Sequence, residues 1–109
     1  MLTDHKQHLS PSRQRLVELM QETNFGRIEG LVVRNGEPVL DPAPRITRDI
    51  LFGKNKDNGV HTARAKADFV LKDEHTQLFR FFEVKRSLTI ETLIIQHGLP
   101  ARMTLRQSI

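Results

Sequence analysis

The sequence predicts an α+β fold: two helix–β-hairpin repeats in the order α-β-β-β-α-β-β, with the helices packed on one face of a mostly antiparallel sheet. Three observations predict it. The first is a repeat. Residues 28–39 read IEGLVVRNGEPV and residues 90–101 read IETLIIQHGLPA, with Ile28/Ile90, Glu29/Glu91, Leu31/Leu93, Gly36/Gly98 and Pro38/Pro100 identical. The 62-residue offset continues upstream without a gap and pairs Leu16, Val17, Leu19 and Met20 with Leu78, Phe79, Phe81 and Phe82. The second is a turn signal in each copy, Asn35-Gly36 and His97-Gly98. A two-residue hairpin turn needs positive φ, which Gly and Asn tolerate best and His accepts. The third is helical periodicity ahead of each hairpin.

Residues 1–9 read as a flexible lead, and residues 10–109 as one domain: repeat one 10–52, a polar loop 53–62, and repeat two 63–106. Ser10-Pro11 is a helix start, with Ser as N-cap and Pro where its missing N–H costs nothing. Leu16, Leu19, Met20 and Thr23 make one apolar face, and Asn24 and Gly26 are stop signals. Residues 27–34 and 37–41 form the first hairpin. Asp41-Pro42-Ala43-Pro44 breaks the pairing, and 45–52 alternates as a third strand. The second helix begins between 63 and 73. It carries Leu71, His75, Leu78, Phe79 and Phe82 on its core face, with Phe81 outside that face. Lys85-Arg86 near its end suits the helix dipole. Residues 88–96 and 99–106 are the closing hairpin.

Hairpin register has two consequences. Pro38 and Pro100 fall where a returning strand's N–H points away from its partner, so each marks a sheet edge protected against further pairing. Strict alternation puts Ile90, Ile94, Met103 and Leu105 on the helix-facing side of the second hairpin. Leu93, Ile95 and Pro100, with Leu31, Val33, Pro38 and Leu40 in the first, are then left as apolar spots on the other side. Exposed apolar spots mark association, so these seven residues are the candidate surface for a homodimer or a protein partner.

Composition fits a soluble globular protein: 38% hydrophobic and 28% charged residues. With no cysteine there is no disulfide or thiolate chemistry. No apolar run reaches the roughly 18 residues of a membrane helix, and the polar first residues do not resemble a secretory signal. The expectation is a cytoplasmic protein with no membrane partner. Net charge is +4, but the cations are dispersed among acids. They read as a mixed solvated surface or, alternatively, as a phosphate-binding face. The candidate nucleic-acid contacts are Arg45, Arg48, Lys54, Lys56, Arg64, Lys66, Lys85 and Arg86. Absence of Trp and Tyr weakens base stacking and leaves contacts to phosphates.

The stretch Phe25-Gly26-Arg27-Ile28-Glu29, Leu31-Val32-Val33 and Asn35-Gly36-Glu37-Pro38-Val39, preceded by the helix, resembles the YezD-like family of small bacterial proteins over residues 14–41. Members of that family carry one such unit and this chain carries two; in the second, Ser87-Leu88 replace Phe-Gly. The resemblance implies a fold and no activity.

Catalytic and metal chemistry find little support. His5 and His8 lack further ligands, and Asp57-Asn58-Gly59 lacks the acids of a calcium loop. Glu29 and Glu91 are the repeated carboxylates, read as strand surface residues with Thr104 the cross-strand partner of Glu91. His97 reads as a turn residue and His75 as a half-buried packing residue. No phosphate loop, nucleophile elbow or zinc-protease motif occurs. The sequence therefore predicts a non-enzymatic binding or regulatory module, without cofactor, metal or small-molecule ligand. It acts by protein association or, alternatively, by contact with nucleic acid.

Overall fold

The computed structural model describes residues 5–53 and 70–106. The fold is α+β: two helices, α1 (Pro11–Thr23) and α2 (Asp73–Lys85), and five strands, β1 (Gly26–Arg34), β2 (Glu37–Val39), β3 (Arg45–Arg48), β4 (Leu88–Gln96) and β5 (Leu99–Leu105). Every described strand pairing is antiparallel. The sheet order is β2-β1-β4-β5, and β3 pairs β1 along the same side as β2. The predicted second and third strands are shorter than expected: residues 40–44, with two prolines, leave the ladder after β2, and β3 ends at Arg48, opposite Gly26, the first residue of β1. The predicted loop 53–62 lies outside the described residues except for Gly53.

Each helix is bounded by local chemistry. Ser10 accepts the Arg13 N–H on its hydroxyl, and Pro11 opens α1. The buried stripe of α1 is Leu16, Val17, Met20 and Thr23, with Val17 in the inward place expected for Leu19, which is half-buried. At the start of α2, the ring Nδ1 of His75 accepts the Lys72 N–H at 3.1 Å. His75, Leu78, Phe79 and Phe82 form its buried face. Both helices end on a residue with positive φ, Asn24 (63°) and Arg86 (64°). Their N–H groups donate to Met20 at 3.0 Å and to Phe82 at 2.8 Å.

The sheet does not alternate strictly, and this corrects the predicted faces. Ile28 and Leu93 pair and are both buried, as are Leu31 and Ile90. Buried residues in β1 therefore step from 28 to 31, and in β4 from 90 to 93, before the two-residue period resumes at Val33 and Ile95. Both strands change phase at the same place. Gly30 adopts φ 72° there. Glu91 is the unpaired residue of a bulge between Ile90 and Thr92. Thr104 consequently pairs Thr92, not Glu91.

The central strands β1 and β4 thus bury one face under α1 and α2, since a single core cluster joins Leu16, Met20, Phe79 and Phe82 to Ile28, Leu31, Ile90 and Leu93. The prolines fall as expected on strands at the two sides of the sheet, Pro38 in β2 and Pro100 in β5. The described part of the lead is ordered against the domain. Lys6 is 3% exposed and its ammonium meets Glu18 at 3.1 Å, while Leu9 joins the core. Partial burial acts against ionisation of Glu18, but Lys6 and Arg15 outweigh it and lower its pKa.

Each hairpin turn docks on the end of the helix belonging to the other hairpin. The Gly36 N–H donates to the Arg86 carbonyl at 2.7 Å, and the Gly98 N–H donates to the Asn24 carbonyl at 2.8 Å. Arg13 donates to the Gly36 carbonyl through Nε and Nη2, and Gln21 donates to the Gly98 carbonyl. His97, at φ 56°, lies edge-on to Phe25 with ring centroids 4.8 Å apart. Main-chain groups that a solvent-facing turn would leave to water thereby bind the first hairpin turn to both helices and the second to α1.

Candidate functional site

The predicted association surface is overturned by the change of phase. Leu31, Val33, Leu93 and Ile95 are at most 1% exposed and belong to the core under the helices. Pro38 and Pro100 are buried, and Leu40 packs against the same core. These seven residues are buried in the core or packed at its margin and form no exposed apolar face on the side away from the helices.

The four described members of the predicted cationic set do not converge. Arg45 pairs with Glu29 in the β1–β3 ladder, on the sheet side away from the helices, and Arg48 pairs with Gly26, which is buried on the opposite side. Lys85 ends α2, and Arg86 terminates the helix and holds the first hairpin turn through its carbonyl. Lys54, Lys56, Arg64 and Lys66 lie outside the described residues.

The repeated carboxylates are surface residues bound to arginine. Glu29 lies 3.7 Å from Arg27, and Glu91 lies 3.4 Å from Arg106. His75 is fully buried; burial first, with Lys72 beside it, depresses its pKa to about 4 despite the opposing pull of Glu74. Among the described residues no three metal-binding side chains cluster. No described helix is long and apolar enough to cross a membrane.

Two surfaces remain, and the sequence did not single out either. The first is the sheet face opposite the helices. Its ladder positions carry Arg27, Arg34, Arg45 and Arg102 against Glu29, with threonines and the half-buried Val32 and Ile94 between them; the bulge residue Glu91 pairs with Arg106, just past β5. The second is a groove of about 240 Å³ between α2 and β5. Leu78, Phe81, Pro100 and Met103 supply its apolar walls, and Glu74, Gln77 and Arg102 its polar ones. Phe81, off the core face in sequence, stands half-buried in this wall.

The corresponding place beside α1 is bridged by a polar clamp. The Glu37 carboxylate accepts from the hydroxyls of Ser10 and Ser12, and Arg13 approaches it at 3.5 Å. Partial burial would raise the Glu37 pKa, but these hydroxyls and the Arg13 and Arg86 guanidinia outweigh it and lower the pKa. At the 62-residue offset Lys72, Glu74 and Leu99 replace Ser10, Ser12 and Glu37, so no such clamp exists between α2 and β5. Beyond β5 no described strand pairs with the sheet. Comparison with protein families, with characterised proteins and with solved structures found no match for the chain.

Proposed function

We propose that this chain is a non-enzymatic binding module: one helix–hairpin unit used twice, whose second copy presents the α2–β5 groove and the adjoining strand edge to a protein partner. The observation that carries this reading is the contrast between the two units. Equivalent positions do equivalent structural work: Asn24/Arg86 end the helices, Gly36/Gly98 dock the turns, and Met20/Phe82 fill the core. The groove departs from that equivalence. Where Glu37 clamps the first unit, the second has an open apolar wall beside the outer edge of β5, with which no further described strand pairs. The same reading extends the YezD-like resemblance of residues 14–41 to a chain with two such units.

The test is selection of random displayed peptides on the folded protein, with the footprint of the enriched peptides read from backbone amide shifts. Footprints on residues 77–81 and 101–105 support the reading. Enriched peptides that leave both stretches unshifted refute it.

The arginines of the open sheet face favour a second reading, sequence-independent contact with nucleic-acid phosphates. On it, mixed DNA or RNA binds at low salt and is released steeply between about 50 and 200 mM salt. Absence of binding at low salt ends that reading.

A further inference from the structure

We infer that the partner of the α2–β5 groove is an extended peptide alternating acidic and large apolar residues, added to the sheet as a strand beside β5. This rests on the proposed role of the groove and specifies its ligand. An exposed edge strand offers main-chain donors and acceptors to an incoming strand, and pockets beside it select alternate side chains. Pro100 lacks an N–H, and Ala101 is left without a partner by the shift in the β4–β5 register. The part of the edge suited to regular pairing therefore begins at Arg102.

From there the side chains alternate. Met103 and Leu105 pair with the buried Leu93 and Ile90 and face the helix side. Arg102 and Thr104 pair with Ile94 and Thr92 on the open side, and the Arg106 N–H donates to Thr89 beside them. Residues directly opposite one another in a ladder share a face. An added strand therefore meets Met103, Leu105 and the groove on one face. On its other face it meets the exposed Arg102, with Arg106 beyond it paired to Glu91. The first requires large apolar side chains and the second carboxylates.

A second copy of this chain fits less well. Antiparallel pairing of two β5 strands in one continuous sheet would bring Arg102 of both copies onto one small surface, where like charges destabilise the pair. Opposite charge on the incoming strand removes that conflict.

The experiment uses a fluorescein-labelled seven-residue peptide alternating glutamate with leucine and phenylalanine, followed by anisotropy at low salt. Companion peptides replace glutamate by lysine, or N-methylate the backbone at alternate residues. The acidic peptide is expected to bind with shifts at residues 101–105, and the other two at least tenfold more weakly. Arg102→Glu should weaken the acidic peptide about tenfold and strengthen the lysine peptide, a reversal that loss of folding cannot produce. Phe81→Glu in the groove wall should weaken both acidic and lysine peptides.

Equal binding of all three peptides, or no reversal with Arg102→Glu, overturns the inference. If selected peptides occupy the groove without acidic–apolar alternation, this inference fails and the binding role stands. If no selected peptide occupies it, both fail.

Discussion

Lowering the pH from 7 toward 4 is predicted to destabilise the protein through His75. The residue is 0% exposed, and its pKa is about 4 in the folded state against 6.5 for the free side chain. A depressed folded pKa means that the unfolded chain binds the proton first. The stabilisation is therefore complete above pH 6.5, is lost as pH falls toward 4, and has no further to fall below that. At about 1.4 kcal/mol per pH unit, the gap corresponds to about 3 kcal/mol. That is a large share of the roughly 5–15 kcal/mol that holds a domain of this size folded.

Urea unfolding at half-unit steps between pH 7.5 and 4.5 measures the effect. That window also limits interference from Glu18 and Glu37. Their lowered pKa values contribute stability that is present above the carboxylate range and lost only as pH falls through it. His75→Gln is the matched variant, because a glutamine at this third helical position retains an acceptor for the Lys72 N–H and does not titrate. The variant should show a nearly flat profile over the same window. An unchanged slope in the variant would falsify the assignment to His75.

Three further outcomes follow from the packing. Gly36→Ala places a side chain at φ 79°, with its Cβ 3.2 Å from Arg86 Nη1 and 3.3 Å from Arg13 Nη2, and should lower stability by about 1–2 kcal/mol in urea unfolding. Glu37→Gln weakens the hydroxyl and guanidinium contacts of the clamp. With the side chain 42% exposed, the loss should be about 1 kcal/mol at pH 7, shrinking as pH falls through the Glu37 carboxyl. Phe82→Ala removes a fully buried ring and should cost about 3–5 kcal/mol, seen as a large fall in melting temperature by circular dichroism.

Much of the architecture was legible because local chemistry dictates it. Ser10-Pro11 starts α1, Asn35-Gly36 and His97-Gly98 turn the hairpins, and Pro38 and Pro100 lie on the outer strands. The faces of the sheet were not, because alternation was carried through a change of phase. The signal was nevertheless present. Ile28 to Leu31 and Ile90 to Leu93 step by three before Val33 and Ile95 resume a step of two. Glu29 and Glu91 occupy that interval, where successive residues avoid the core, and this accounts for a polar residue at both places. The groove was illegible for a different reason. It exists because α2 approaches β5 without the clamp that bridges α1 and β2, and only Phe81, out of phase on its helix, hinted at it.

The central claim is that the two helix–hairpin pairs lock one another, the main-chain amide of each turn bound by the helix that precedes the other hairpin, so that β5 is presented as a rigid edge. Native-state hydrogen exchange of the Gly36 and Gly98 amides tests it most directly, in the native protein and in Met20→Ala. Both amides should exchange only with global unfolding, and the truncation in α1 should lower their protection equally although Gly36 docks on α2. Loss of protection at Gly98 alone, with Gly36 unchanged, would contradict the interlocked account.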